Sequence, residues 1–300
     1  MKTLKNGVRE GVRMVSHRLL GRRAVLAAAA IGAGGAARAA GRAPVRFGLT
    51  PVFLESDLAL LRALSDHMQA ALGTPVELVK RRTYQEVVGL LLAGQLDAAW
   101  ICGFPYVRHA DRLSVLAVPV HRGRPLYQSY LIADASLRVR SLADLRGGTH
   151  AFSDPDSNSG CLTTRWLLAG QHQSPGAFFR ATFFTYGHRN VVRAVSSGLA
   201  ESGSVDGYVW ETMAETEPML TSTTDVVARS EWQGFPPVCC LTGARQSTAV
   251  RGIEATLLNM ADSATGSEIL RALRLDGFVP GNPGLYEGIR AMSDDLERRA

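Results

Sequence analysis

The most informative segment of the sequence is a predicted turn, Ser153-Asp154-Pro155-Asp156-Ser157-Asn158-Ser159-Gly160-Cys161-Leu162. It joins a short apolar strand at residues 149–152 to an apolar-periodic segment at residues 163–169. Serine, asparagine and glycine before such a segment are typical of the beginning of a helix. The first N–H groups of a helix lack intrahelical partners and lie at the positive end of its dipole. The turn therefore predicts either a helix simply capped by Ser157 or Ser159, or a cradle that binds an anion.

The positive charge of the chain is concentrated at its front. The 300 residues carry a formal net charge of +6, but residues 1–39 contain eight lysines and arginines against one glutamate, so the remainder carries −1. The remainder is nearly neutral, aromatic residues make up only 7% of the whole chain, and no basic stripe for phosphate backbones is present. The composition therefore argues against nucleic-acid binding.

Residues 1–39 have the plan of an export leader. A basic segment ends at Arg22-Arg23, an alanine- and glycine-rich apolar run follows, and Ala37-Arg38-Ala39 forms a cleavage site. The paired arginines favour the twin-arginine route, and Sec export stays open. Beyond the leader no run of 18 strongly apolar residues occurs, so no membrane span is predicted and we expect a periplasmic protein.

The rest of the chain alternates strands and helices, which predicts the α/β class. We expect a first lobe over residues 44–133 plus 235–300, whose last strand before the crossing spans residues 127–133. A second lobe over residues 134–234 contains the cradle and a strand at residues 205–210. Gly234-Phe235-Pro236-Pro237 interrupts regular structure at the return to the first lobe. The predicted architecture is two lobes, each a central sheet flanked by helices, joined by two hinge crossings around a cleft.

Four segments, in this order, resemble the periplasmic substrate-binding proteins of ABC importers for phosphate, phosphite and phosphonate. They are Tyr84 with Leu92-Ala93-Gly94-Gln95-Leu96-Asp97-Ala98-Ala99-Trp100; Asp154 to Gly160; Gly187-His188 with Val191 and Ala194-Val195; and Val205-Asp206-Gly207-Tyr208. The resemblance covers nearly the whole mature chain. It implies the two-lobed type II periplasmic binding fold.

The resemblance also implies which residues meet a ligand. In that family the Ser-x-Ser-Gly turn holds the ligand's oxygen atoms, a histidine lies near them, and an aromatic residue faces them from the other lobe. Closure of the cleft would add the loop after residue 101, and Tyr208 stands where it either shapes the pocket or only packs. The expected ligand-binding residues are Tyr84, Cys102, Gly103, Tyr106, Ser157, Asn158, Ser159, Gly160, Cys161, His188 and Tyr208.

The cysteines leave a second ligand class open. Cys102-Gly103-Phe104-Pro105-Tyr106 is similar to a subgroup of the family that binds arsenite and reports it to a membrane sensor kinase. Cys161 lies in the first turn of the predicted helix, where the dipole favours a thiolate, and thiolates suit trivalent arsenic better than phosphate oxygen. Either cysteine is alternatively a small buried hydrophobe, as we expect for Cys239 and Cys240.

The predicted function is therefore capture of a small tetrahedral oxyanion for an ABC permease, with arsenite sensing through a kinase ectodomain as the alternative. Glu211 is the one acidic candidate for a ligand amine, which disfavours aminoalkyl ligands. Ser159 or Cys161 with His188 and Asp206 would suit a hydrolase, but no Gly-x-Ser-x-Gly elbow is present, so no enzyme is predicted. No cofactor is expected, and the histidine spacing predicts no metal site.

Overall fold

The computed structural model describes residues 43–50 and 58–299. The leader predicted over residues 1–39 lies outside the described residues, and so does the segment 51–57. Within the described part of the chain, every helix falls short of the length and apolar content that crossing a bilayer would require.

A six-stranded mixed sheet forms the first half of the fold, with the order β13-β4-β12-β3-β1-β2. β1 pairs in parallel with β2 and with β3, whereas β12 and β13 run antiparallel to β4. The central strands β3 and β4 are almost continuously buried, which is expected of strands covered on both faces of a sheet. The strands are β1 Val45–Leu49, β2 Val76–Lys80, β3 Ala98–Trp100, β4 Leu113–Val120, β12 Val238–Leu241 and β13 Gly277–Pro280.

A five-stranded sheet with the order β10-β6-β9-β7-β8 forms the second half. β7 pairs in parallel with β8 and β9, and β6 runs antiparallel to β9 and β10. The prediction that residues 127–133 close the first lobe is therefore wrong, because most of that strand belongs to the second sheet. The strands are β6 Ser129–Asp134, β7 Thr149–Phe152, β8 Ala181–Phe184, β9 Ser202–Asp206 and β10 Thr224–Arg229.

A two-stranded ribbon lies where the chain passes between the sheets. Its strands, β5 (Leu126–Tyr127) and β11 (Gln233–Gly234), pair antiparallel to each other. β5 connects β4 to β6, and β11 connects β10 to β12, so the two crossings lie side by side. Gly234 is required here, because a Cβ would come within 2.8 Å of the Leu285 carbonyl oxygen.

Helices flank both sheets, and local signals account for their ends. Thr83 and Glu86 form a capping box at the start of α2, and Gly94 follows that helix with a positive φ of 68°. α11 packs against both α3 and α4. The helices are α1 Leu58–Leu72, α2 Tyr84–Leu92, α3 Gly103–Arg108, α4 Thr163–Ala169, α5 Pro175–Phe178, α6 His188–Ser196, α7 Gly207–Thr216, α8 Pro218–Thr221, α9 Thr248–Leu258, α10 Ala264–Ala272 and α11 Glu287–Arg299.

The strand predicted over residues 205–210 ends early. β9 stops at Asp206, and α7 begins at Gly207 with Asp206 as its N-cap, whose Oδ1 accepts the Tyr208 N–H at 2.9 Å. The aromatic and β-branched residues after Asp206 favoured a strand, but the capping aspartate and the packing of the helix outweigh that preference.

Candidate functional site

The predicted turn forms a π-helical turn that leads into α4. β7 ends at Phe152, and the turn spans Asn158–Leu162, with the Leu162 N–H donating to the Ser157 carbonyl oxygen at 2.9 Å. Ser157 is the cap, because its Oγ accepts the Gly160 N–H at 3.0 Å. Single π-helical turns are rare and are found mostly at functional sites.

Elements of both sheets and of the ribbon enclose this turn. Asn158 donates its backbone N–H to Cys102 Sγ at 3.3 Å, and its side-chain Nδ2 to the Tyr127 hydroxyl at 2.8 Å and to Gln233 Oε1 at 2.7 Å. The Ser129 hydroxyl donates to the Ser159 carbonyl oxygen at 2.7 Å. Ser157, Asn158 and Ser159 are at most 1% exposed. The turn is therefore buried, and it is buried at the meeting place of the two halves.

Gly160 fits only because it lacks a side chain. A Cβ there would lie 1.7 Å from Ser153 Oγ and 3.0 Å from His188 Cε1. The Ser153 N–H also donates to the Gly160 carbonyl oxygen at 3.1 Å. The glycine thus lets the strand end, the turn and the histidine approach one another closely.

Three polar atoms in this region are buried without a hydrogen-bond partner among the described residues: Ser153 Oγ, Asn158 Oδ1 and Ser159 Oγ. The Ser159 hydroxyl lies near the Tyr127 hydroxyl, but the two do not make a hydrogen bond of acceptable geometry. A buried polar group without a partner costs about 1–3 kcal/mol. Three such atoms within the short segment from Ser153 to Ser159 favour the binding of a polar ligand.

A chain of hydrogen bonds connects α2 to the second sheet through His188. The Asp206 backbone N–H donates to His188 Nδ1 at 3.0 Å, and His188 Nε2 lies 3.1 Å from the Tyr84 hydroxyl. Burial lowers the pKa of His188 to about 3, so the ring is neutral. Because Nδ1 accepts, the single ring proton is assigned to Nε2 and is donated to the Tyr84 oxygen. The Tyr84 hydroxyl proton is thereby left for another acceptor.

Two buried carboxylates belong to the same region. Asp154 Oδ2 accepts the Tyr84 backbone N–H at 3.1 Å, and its Oδ1 accepts the Asp156 N–H at 2.8 Å. Burial raises the pKa of Asp154, and it raises the pKa of Asp206 to about 7. We call Ser153, Asp154, Ser157, Asn158, Ser159, Gly160, Tyr84, His188 and Asp206 together the polar cluster.

Cys102 touches the polar cluster as a thiol. Its sulfur accepts the Asn158 N–H, and burial raises its pKa to about 12. The loss of hydration on burial is the largest cause of this rise, and it outweighs the hydrogen bond from Asn158. The structure therefore places a neutral, weakly polar sulfur beside the turn.

The Cys161 side chain packs in an apolar group with Leu131, Phe152 and Phe178, and burial raises its pKa to about 12. The expectation of a thiolate at Cys161 is wrong, because the loss of hydration outweighs the helix dipole. All four cysteines of the chain are free, and Cys239 and Cys240 are buried in β12.

The remaining predicted ligand residues make packing contacts. Gly103 lies under Tyr286 and Ile289, and the Tyr106 ring packs edge-on against Tyr286 with centroids 4.9 Å apart. The Tyr208 hydroxyl donates to the Leu273 carbonyl oxygen. Gly103 has no side chain, and the hydroxyls of Tyr106 and Tyr208 make no hydrogen bond to the orphaned atoms of the polar cluster.

Glu211 lies in a separate group near the ribbon. Its carboxylate accepts a hydrogen bond from the Tyr130 hydroxyl, forms an ion pair with Arg122 at 2.7 Å and lies 3.5 Å from His121 Nε2. Together they line a cavity of about 250 Å³ that Tyr127 and Trp232 also border. The carboxylate that the sequence offered for a ligand amine is therefore already occupied by protein donors.

Sequence reasoning missed several members of the site. Ser153, Asp154, Tyr127, Ser129 and Gln233 were not among the expected ligand residues. Tyr127 and Gln233 lie close to the predicted crossings between the lobes. That position was a signal for both residues, because a cleft is narrowest beside its crossings. The hydrolase arrangement is not formed, because His188 Nδ1 meets the backbone of Asp206, and Nε2 meets Tyr84.

One family model matches most of the chain. It is described as ABC transporter, phosphonate, periplasmic substrate-binding protein, and it matches residues 47–286. The phosphate-import protein PhnD of Mycolicibacterium smegmatis is 28% identical over 173 residues, which are 53% of this chain and 54% of that protein. The chain thus matches about half the length of this relative.

Solved structures show the same fold. A binding protein component of an ABC phosphonate transporter from Pseudomonas aeruginosa has a TM-score of 0.77 at 19% identity, covering 85% of this chain and 87% of that one. PhnD1 from Prochlorococcus marinus in complex with methylphosphonate has a TM-score of 0.74 at 17% identity, covering 84% and 98%. These similarities establish the two-lobed type II periplasmic binding fold.

The comparisons decide the family. Neither the family model nor these relatives support the arsenite-sensing alternative. The family consists of binding proteins that serve transport and not of enzymes. Because its model covers the chain from β1 to the start of α11, this protein belongs to the periplasmic substrate-binding proteins of phosphonate ABC transporters.

Proposed function

We propose that this protein captures a small tetrahedral phosphorus oxyanion, namely phosphate, phosphite or a small phosphonate, for an ABC importer. The observation that carries the proposal is the set of orphaned buried atoms at Ser153, Asn158 and Ser159 beside the donor Tyr84. Relatives named for phosphate import and solved with methylphosphonate support this ligand class.

The residues divide the work of binding. The hydroxyls of Ser153, Ser159 and Tyr84 donate to the oxyanion, and the N-terminal end of the turn at Asn158–Leu162 contributes its dipole. Ser157 and Gly160 shape that turn, and His188 holds Tyr84 in the donor state. In a site closed to water each of these hydrogen bonds is stronger than in solution.

The same proposal covers how the protein moves and where it works. The two lobes are those expected from the sequence, 44–133 plus 235–300 and 134–234, with one change. Their first boundary lies at the ribbon, because β6 belongs to the second sheet. Opening at the ribbon separates Tyr84 from His188 and Asp154 and admits the ligand. Export through the leader at residues 1–39 delivers the protein to the periplasm, where the closed form docks on a permease.

Calorimetric titration of the mature chain with phosphate, phosphite and methylphosphonate tests the proposal. We expect one ligand per chain for at least one of the three. Ser159→Ala removes one charge-assisted hydrogen bond and should weaken that binding about ten- to a hundredfold. Ser136→Ala, at an exposed position, is the matched control and should leave the affinity unchanged.

Two results would overturn the proposal. One is the absence of binding by all three oxyanions to a folded protein. The other is arsenite binding that is lost in Cys102→Ser while the oxyanions stay unbound. Turnover of a ligand would likewise contradict a protein that carries its ligand unchanged.

A further inference from the structure

The polar cluster contains two buried carboxyl groups, Asp154, which is 2% exposed, and Asp206, which is 1% exposed. Arg189, next to His188, pairs with Glu217 at 2.6 Å, and Arg108 pairs with Asp156 at 2.9 Å. Among the other lysines and arginines of residues 43–50 and 58–299, none makes a hydrogen bond to a member of the cluster. The segment 51–57 contains no lysine or arginine either.

The cluster also contains one atom that can only accept. Both hydrogens of Asn158 Nδ2 are used, one by the Tyr127 hydroxyl and one by Gln233 Oε1. Asn158 Oδ1 is buried and has no donor among the described residues. The Tyr84 hydroxyl, by contrast, is fixed as a donor by His188. A ligand that satisfies both must offer acceptors and one hydrogen.

We propose that the site takes its oxyanion in the singly charged form that still carries a proton, whose P–OH group donates to Asn158 Oδ1. This inference rests on the proposed function and adds which protonation state is bound. The hydroxyls of Ser153, Ser159 and Tyr84 donate to the other oxygens. The proton stays on the ligand, and no bond is formed or broken. A second ligand charge meets no cation and is repelled by Asp154 and Asp206.

The groups around Asp206 decide whether other charges could offset this repulsion. Most of them are neutral near pH 7, because burial raises the pKa values of the tyrosines and of Cys102 and lowers that of His188. The nearby His121 and Glu211 form a pair, so their opposite effects on the charge of Asp206 largely cancel. The titratable groups facing Asp206 are Tyr84 on α2, Cys102 before α3, His121 after β4, Tyr127 on β5, His188 on α6, and Tyr208 and Glu211 on α7.

The same arrangement disfavours sulfonates. Methanesulfonate has the shape and the single charge of the methylphosphonate monoanion, but it has no hydrogen to give to Asn158 Oδ1. A site built to bond a hydroxyl rejects an analogue that lacks it, because a buried polar atom is left unpaired. The two ligands therefore isolate the role of the proton.

The test is calorimetry with methylphosphonate and methanesulfonate from pH 6 to pH 9. At pH 6 we expect methylphosphonate to bind at least about tenfold more tightly than methanesulfonate. Between pH 8 and pH 9, where Asp206 is ionised, the methylphosphonate affinity should fall about tenfold, since one proton must be taken up per ligand bound. Methanesulfonate carries one charge throughout, so its weaker binding should stay the same between these two pH values.

An isosteric variant tests the source of the repulsion. Asp206→Asn keeps the oxygen that caps α7 and should raise the methylphosphonate affinity at pH 9 at least about threefold. Asp225→Asn removes the same charge from an exposed position and should not. If Asp206→Asn does not fold, which its circular-dichroism spectrum would show, the pH dependence of methylphosphonate and methanesulfonate binding to the wild type decides.

The outcomes separate this inference from the proposed function. Equal binding of methanesulfonate and methylphosphonate at pH 6, or a methylphosphonate affinity that does not fall between pH 8 and pH 9, overturns the inference and leaves oxyanion capture in place. Failure of phosphate, phosphite and methylphosphonate to bind at any pH overturns both.

Discussion

At the scale of single residues, the hydrogen-bond order at His188 determines what Tyr84 can do. The Asp206 backbone N–H occupies Nδ1, so Nε2 donates and the tyrosine hydroxyl is free to donate onward. In a protonated ring Nε2 would still donate to Tyr84. Nδ1 would then also carry a hydrogen, which would point at the Asp206 N–H. The buried, neutral histidine is thus a positioning residue for a neutral donor.

Tyr84→Phe tests this role. The variant removes the donor to the ligand and leaves the His188 Nε2–H without an acceptor, so we expect the affinity for the bound oxyanion to fall about tenfold or more. Stability should fall by about 1–2 kcal/mol in urea unfolding. Tyr186→Phe, whose ring is only partly buried, is the control. Unchanged affinity in Tyr84→Phe would remove this hydroxyl from the site.

The residues of the turn could be predicted from the sequence, and the chemistry of the cysteines could not. The residue types of Ser157 and Gly160 are enough to predict a capped helix, because the cap needs a short side-chain oxygen and a free N–H. The fate of Cys161 depends on which side of a π-helical turn it occupies. Burial on that side raises its pKa, and no local pattern encodes that burial.

At the scale of elements, the π-helical turn and α4 require close contact with β7. Ser153 and His188 occupy the space that a side chain at position 160 would fill. The turn is therefore held between the strand end and the start of α6. Any change that widens this contact moves the donors of the site.

Gly160→Ala tests the contact. Overpacking of a buried position costs about 1–3 kcal/mol, and we expect that loss in the free energy of unfolding together with loss of oxyanion binding. Gly89→Ala, at an exposed position in α2 with no atom near the added methyl group, is the matched control. The control should gain up to about 1 kcal/mol, because alanine is the better helix former. A fully stable Gly160→Ala would contradict the geometry.

Periodicity predicted most elements, but it did not assign each to its sheet. The strand at residues 129–134 was recognisable by its apolar residues, yet nothing local distinguishes a last strand of one sheet from a first strand of the next. The α7 helix was mistaken for a strand because Val205, Tyr208, Val209 and Trp210 favour strands. Asp206 was the signal for a helix, because an aspartate at the N-cap outweighs the strand preference of these residues.

At the scale of the whole molecule, the two halves meet through polar contacts that can be made and broken. Tyr84 reaches Asp154 and His188 from the first half, and Asn158 reaches Cys102 from the second. Single hydrogen bonds of this kind cost little to exchange for hydrogen bonds to water. The return crossing was predictable from the Gly-Phe-Pro-Pro break, whereas the first crossing was expected one strand too late. The closeness of the halves follows from packing across distant segments.

The stability of the whole molecule should depend on pH through three buried groups. Burial lowers the pKa values of His150 and His188 to about 3, whereas it raises that of Asp206 to about 7. Below about pH 6.5 the unfolded chain binds a proton at each histidine that the folded chain does not, so stability falls as the pH falls. Between about pH 4 and pH 7 the folded chain keeps the Asp206 proton that the unfolded chain loses, which opposes one of the two histidines.

Between pH 6 and pH 5 we therefore expect the wild type to lose about 1.4 kcal/mol more of its free energy of unfolding than His150→Gln loses, which is the effect of one proton. His150 lies between the Ser202 and Ser204 hydroxyls, each 2.8 Å from a ring nitrogen. His150→Gln removes this titration and should reduce the slope by that amount, although the variant is less stable at every pH. Urea unfolding at several pH values measures both slopes, with the exposed His172→Gln as the control. An unaltered slope in His150→Gln would show that its ring is charged in the folded protein or exposed to water.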